Sequence, residues 1–191
     1  MAMPAPRLDR WTSADLDRMP EDGLRYEVLN GQLVVNAAPK PRHQWLIQRL
    51  SRMLDDVVPA DCVVLEGVGA LIADDEPIPD LIVAEGPISW DARGIPAEQV
   101  RLAVEVVSGS TTLADRMTKP VVYAAAGIPH YWRFEINPFK GRLPGEELPV
   151  LFAHTLGSEQ VYEQTHRVCA GDTATLHGPF EITLAPLDLL P

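Results

Sequence analysis

The stretch Leu102-Ala103-Val104-Glu105-Val106-Val107 restricts the fold of this chain more than any other. It is apolar on both alternating faces, so as a strand it has no polar side to offer water. Such a run belongs in the centre of a sheet that is covered on both sides. Glu105 interrupts it. A lone ionised carboxylate in that setting is costly, so Glu105 must be neutralised, paired or bound to a cation. Asp80 supplies a second carboxylate at the beginning of another apolar strand, Leu81-Ile82-Val83. If the two strands are neighbours, about 5 Å apart, both carboxylates can converge on one hard cation. Lys119 follows in the next helical segment. Pro120 is best accommodated in the first turn of a helix, which places the regular helix start near Thr118 and Lys119 at its mouth, facing back toward the sheet.

The rest of the pattern surrounds these residues with helices and strands. Thr12-Ser13-Ala14-Asp15-Leu16 carries N-cap chemistry for a short helix that ends before Pro20. Arg25–Leu29 and Gln32–Val35 flank Asn30-Gly31, the dipeptide of a tight hairpin turn. From about Pro41 to Val58 the period is helical, with His43, Leu46, Ile47, Leu50, Met53, Leu54 and Val57 on one face and Arg42, Trp45, Arg49 and Arg52 on the other. Strands are expected at Cys62–Glu66, Val68–Ile72, Leu81–Val83, Val100–Val107 and His130–Ile136. An acidic bend, Asp74-Asp75-Glu76, precedes Asp80. Gly86–Glu98 reads as a loop. Thr111–Ala126 reads as mainly helix, capped by Gly127. Asn137–Pro149 reads as a surface excursion, and short β segments follow at Val150–Thr155, Gln160–Thr165 and around Phe180–Leu184. The expected fold class is α/β, with helices packed on a central mixed β-sheet and a β-rich carboxyl end. Residues 1–10 read as a flexible tail and 11–191 as a single domain.

Composition narrows the function classes. A length of 191 residues with 46% apolar content suits a globular domain with its own core. No stretch approaches the roughly 18 apolar residues of a membrane-spanning helix. Met1–Arg10 lacks the apolar core of a secretory signal. Two cysteines without zinc-like pairing fit a reduced, cytoplasmic protein. The net charge of −11 opposes sequence-independent nucleic-acid binding, which rests on a basic surface. A nucleic-acid reading therefore needs a local basic patch, bound cations or both. The Arg42, Arg49, Arg52 stripe is the only concentrated basic surface the sequence displays, and it is equally consistent with a plain solvated face.

Pro79-Asp80-Leu81, followed by Glu105-Val106-Val107-Ser108-Gly109-Ser110-Thr111, resembles the metal-binding frame of the PD-(D/E)XK nuclease superfamily. More closely, the chain resembles the Uma-type family of restriction endonucleases. The matching pieces run in order over about residues 12–136: Tyr26–Leu33, Pro41-Arg42-His43, Pro79-Asp80-Leu81, the Glu105 segment, Asp115-Arg116 with Lys119 and Tyr123, and Gly127-Ile128-Pro129 with Tyr131-Trp132. The resemblance implies a restriction-endonuclease-like core in which Asp80 and Glu105 chelate Mg²⁺ or Mn²⁺, with the Val106 carbonyl as a third ligand. The superfamily lysine normally stands two residues after the glutamate, where this chain has Val107; the Uma-type pattern takes it from the next helix, at Lys119. Glu27 and His43 match further polar positions and are expected to line the same pocket. The implied partners are DNA and a second copy of the chain, with no membrane. Three departures stand out. Gly109 replaces the usual proline, His130 sits where a glutamate is common, and Asn137–Pro149 is long.

Each residue also has a plainer reading. Glu105 could form a buried ion pair with Arg101 or Arg133. Lys119 could be a solvated helix lysine, Glu27 a surface carboxylate and His43 a satisfied core histidine. The expected function is a metal-dependent phosphodiesterase acting on DNA. Its alternatives are a non-catalytic module that keeps the nuclease fold to bind protein or nucleic acid, and a hydrolase of small phosphoesters.

Overall fold

The computed structural model describes residues 10–36, 38–107 and 114–191. Its strands are β1 (Arg25–Leu29), β2 (Gln32–Asn36), β3 (Cys62–Glu66), β4 (Gly69–Leu71), β5 (Leu81–Glu85), β6 (Gly94–Pro96), β7 (Val100–Val107), β8 (His130–Glu135), β9 (Val150–Leu156), β10 (Tyr162–Val168), β11 (Ala174–Leu176) and β12 (Ile182–Leu184). The α-helices are α1 (Pro41–Asp55) and α2 (Lys119–Ala125). Six strands form one mixed sheet in the order β10-β9-β8-β7-β5-β3. β7 and β8 run parallel and the other neighbours antiparallel. A parallel pair needs a crossover, and α2 lies within it.

Alternation along the strands divides the core in two. Leu81, Val83, Leu102, Val104, Val106, Trp132 and Phe134 pack with Leu46, Ile47, Leu50 and Leu54 of α1. Each of those four helix residues is essentially without solvent contact, and burying such a side chain contributes about 1.5–3 kcal/mol. On the opposite face Ile82, Ala84 and Ala103 pack with Tyr123 and Tyr131. Glu105 shares the side of Ala103, because residues two apart on a strand project together.

Turn chemistry then places β1. Asn30 and Gly31 adopt φ of 53° and 73°, as their dipeptide dictates. Both amides donate to the Asp75 carboxylate at 2.9 Å. Val28 and Glu76 exchange backbone hydrogen bonds at 3.3 and 3.0 Å. The acidic bend therefore docks the hairpin against the segment leading to Asp80.

Several elements differ from the expectation. Gly86–Glu98 is more than a loop, since β6 pairs there in parallel with β4. A strand this short has no alternation to read, and Gly94 is chosen for closeness: a Cβ on it would stand 2.5 Å from the Gly69 carbonyl. Val68–Ile72 is strand only at β4. The helix of the 111–126 segment divides into a π-helical turn, Ala114–Thr118, and α2, with Gly127 (φ 78°) ending it. Ser108–Thr111, with the Gly109 departure, and the tail over residues 1–9 lie outside the described residues. Asn137–Pro149 is the expected surface excursion, tied to β10 where Arg167 donates to Glu146, and β11 joins the expected carboxyl-terminal strands.

Glu76 is buried in this docking region beside Arg93, whose Nε lies 3.4 Å away. Burial pushes its carboxyl up to about 7; Arg93 pulls it down and Asp17 adds to the rise. Because the folded value exceeds the unfolded one, the contribution to stability is complete below the ordinary carboxylate range and is lost as pH rises through about 7. Glu76→Gln is expected to lose less thermal stability than the wild type between pH 5 and pH 8. A variant that tracks the wild-type midpoint across that range would show that Glu76 titrates normally.

Candidate active site

β5 and β7 are adjacent, with Leu81 opposite Val104. The neighbouring strands expected from the sequence are present. Asp80, just ahead of β5, reaches across to the end of β7, where its Oδ2 accepts the Val106 amide at 2.8 Å. The same oxygen lies 3.1 Å from His43 Nε2. A carboxylate only accepts, so Nε2 carries the proton. His43 Nδ1 is buried with no partner among the described residues. Asp80 Oδ1 faces Arg25 at 3.9 Å.

Glu105 is 1% exposed and Lys119 3% exposed. Lys119 Nζ stands 3.1 Å from Glu105 Oε1 and 3.2 Å from Oε2. It is also 3.2 Å from Glu27 Oε2, 3.6 Å from Asp115 Oδ1 and 3.2 Å from the Ile78 carbonyl. Tyr123 Oη donates to Glu105 Oε1 at 2.6 Å. Glu27 is held by the Ile78 amide at 3.1 Å and by Asn36 at 2.7 Å. The partner of Glu105 is thus Lys119 with Tyr123. Arg101 pairs with Glu85, and Arg133 with Glu135.

The electrostatics follow from four carboxylates around one ammonium. Burial drives Glu105 well above the ordinary carboxylate range, against the pull of Lys119 and with help from Asp115, Asp80 and Glu27. Burial opposes the charge on Lys119, but Glu105, Glu27, Asp115 and Asp80 outweigh it and raise its pKa. Lys119 therefore stays cationic. Burial, then the proximity of Glu105, raises Tyr123 well above its usual value, so it remains a donor.

The structure brings Glu27, His43, Asp80, Glu105 and Lys119 into one cluster. Arg42, Arg49 and Arg52 are exposed on α1, on the face opposite His43. Asp115 and Tyr123 belong to the cluster but were not singled out as site residues from the sequence. Their signal was present: Asp115, Lys119 and Tyr123 recur every four residues, the spacing of one helix face. The widened turn at Ala114–Thr118 is of a kind that often accompanies functional positions.

Oxygen-only donors and an excess of negative charge suit a hard divalent cation in type. Among the described residues, however, no three His, Cys, Asp or Glu side chains converge with metal-ligand geometry. The Lys119 ammonium lies against both Glu105 oxygens.

The family model for Uma2, described as "Putative restriction endonuclease", matches residues 13–184. The chain belongs to the Uma2 family. A solved structure of similar fold, a "putative nuclease belonging to DUF820" from Anabaena variabilis, aligns over 93% of this Uma2 chain and 96% of its own, with a TM-score of 0.66 and 17% identity. At that identity the likeness concerns the fold, which is the mixed α/β, nuclease-like architecture expected from the sequence. No curated protein matches. Among the described residues no helix is long and apolar enough to cross a membrane.

Proposed function

We propose that this Uma2 protein is a divalent-metal-dependent endonuclease that hydrolyses DNA phosphodiesters at the Asp80–Glu105–Lys119 cluster. The observation that supports it is the meeting of Asp80 and Glu105 at the end of the central strand, with one buried lysine set against an excess of carboxylates. Asp80 and Glu105, with the Val106 carbonyl, would hold Mg²⁺ or Mn²⁺, which supplies Lewis-acid polarisation of a phosphoryl oxygen and acidifies water. The protein's own groups do the rest. Lys119, kept cationic, orients water or offsets charge developing on the phosphorus oxygens. His43 and the Val106 amide hold Asp80 in place. Tyr123 fixes the rotamer of Glu105. Glu27 anchors the Ile78 backbone and shares Lys119. Arg42, Arg49 and Arg52 serve as outlying phosphate contacts.

A second reading, a non-catalytic nuclease-fold module, is favoured by the position of Lys119 against both Glu105 oxygens. Calorimetric titration with Mn²⁺ separates the two. The nuclease reading expects binding in the wild type that both Asp80→Ala and Glu105→Ala abolish, together with metal-dependent plasmid cleavage lost in both variants. Absence of binding, or binding indifferent to both substitutions, together with no cleavage, would leave the non-catalytic module; cleavage that survives both substitutions would remove Asp80 and Glu105 from the chemistry.

A further inference from the structure

A row of cations crosses the same sheet face that carries Glu105. Strand registers pair Glu105 with Arg133, Arg133 with Phe152, and Phe152 with Arg167. Directly opposed residues on neighbouring strands project to the same side, so with strands about 4.8 Å apart the row starts at the candidate active site and leads away from it. The guanidinium carbons of Arg133 and Arg167 lie 4.6 and 4.9 Å from the centre of the Phe152 ring. Arg116, the neighbour of Asp115, approaches from the π-helical turn. Its Nε and Nη2 donate to the two oxygens of the buried Glu135, both at 2.7 Å.

The Asn137–Pro149 excursion extends this surface. Phe139 packs edge-on against Phe152, with ring centres 5.8 Å apart. Arg167 donates from Nε and Nη2 to Glu146, both at 2.7 Å, and from Nη2 to the Gly141 carbonyl at 2.9 Å. The excursion thereby brings the exposed Lys140 and Arg142 alongside the row.

Ion pairs that merely pin a loop would account for Arg167 with Glu146, and for Arg116 with Glu135. They account for Arg142 only through its Nε, which donates to the Glu146 carbonyl at 2.7 Å; they leave Arg133 to share Glu135 with Arg116 and give no role to the exposed Lys140. A local surplus of cations runs against the composition of a chain with net charge −11. The clamping carboxylates engage the Nε–Nη2 edge of Arg116 and of Arg167, and both side chains keep 25% of their surface exposed. A guanidinium fixed by a carboxylate and an aromatic ring is pre-organised to donate its remaining N–H groups to a phosphate.

We propose that Arg116, Arg133, Arg167, Lys140 and Arg142 form a docking surface for the phosphate backbone of a nucleic-acid strand that enters the candidate active site. The occupant rests on the nuclease reading above; the surface rests on the geometry.

The test is fluorescence anisotropy of a labelled DNA duplex in EDTA, where metal-dependent cleavage is silent, over a range of salt concentrations. Lys140→Glu combined with Arg142→Glu alters exposed side chains, and a thermal melt of the variant checks that losing the Arg142 Nε bond to the Glu146 carbonyl leaves the fold intact. It is expected to weaken binding at least ~10-fold and to lower the salt slope by about 0.9 for each phosphate that the variant no longer neutralises. Arg133→Gln is expected to weaken binding several-fold. Unchanged affinity and slope in both variants would overturn the proposal. So would a loss confined to Arg49→Glu with Arg52→Glu on α1, or equal displacement by polyglutamate, which would indicate an acidic protein partner. Plasmid cleavage in Mn²⁺, run in parallel, keeps the two readings apart. Cleavage that needs Asp80 but survives with unaltered DNA binding in the surface variants removes the docking surface alone. Surface-dependent binding without any cleavage removes the nuclease chemistry and keeps the surface.

Discussion

Lys119→Ala is expected to destabilise the protein by about 3–5 kcal/mol, the usual cost of removing one partner from a buried charge cluster. The residue is 3% exposed, and its ammonium faces Glu27, Glu105 and Asp115. Its removal leaves carboxylates that cannot reach water. Glu105, already driven upward by burial, is the group that would take up a proton to relieve them. The loss should therefore be smaller at pH 5 than at pH 8, because proton uptake substitutes for the missing cation at low pH. Urea denaturation of both proteins at the two pH values measures this. A difference below about 1 kcal/mol at pH 8 would mean that the cluster is hydrated rather than buried.

Glu105→Gln is expected to separate stability from chemistry. The neutral amide keeps the shape of the side chain, can still accept from Tyr123 or Lys119, and removes one of four crowded negative charges. At pH 8, thermal stability should be retained or improved, with a flatter dependence on pH than in the wild type. The sign follows from the raised carboxyl: ionising Glu105 above its ordinary range costs the folded state, and the amide does not ionise. Under the nuclease reading, metal-dependent cleavage should nevertheless fall by roughly 100-fold or more, the scale expected when a charge-stabilising element is removed. A variant that unfolds at pH 8 would show that the Lys119–Glu105 pair stabilises the fold as an ion pair. A variant that cleaves at the wild-type rate would remove Glu105 from the chemistry.

Much of the frame was legible in the chain. The doubly apolar run around Glu105 is β7, at the interior of the sheet and covered on both faces. Asn30-Gly31 makes the hairpin turn, and the apolar stripe from His43 to Leu54 is the buried face of α1. Pro120 marks the start of α2 at Lys119. β4 lies within the expected Val68–Ile72 strand, but β6 and its parallel pairing with β4 escaped notice because three residues carry no period. The basic surface on the sheet face escaped it too. Arg116, Arg133, Lys140, Arg142 and Arg167 are scattered along the chain with acids between them, whereas the α1 arginines fall on one helix stripe.

The sequence by itself determined that a carboxylate would be buried in a central strand and would need a partner, because period-2 apolarity leaves Glu105 no route to water. Only the tertiary structure decided who that partner is. Lys119 lies 14 residues away, and the other contacts of the cluster span 26 between Asp80 and Val106, 37 between His43 and Asp80, and 51 between Glu27 and Ile78. Pairings at such separations depend on strand order, register and the direction of the crossover helix. Arg101 stands on the same strand as Glu105 and Arg133 directly opposite it on β8, yet their side chains turn to Glu85 and Glu135 instead. Local pattern sets which groups must be satisfied; the packing of distant segments sets which groups are close enough to satisfy them.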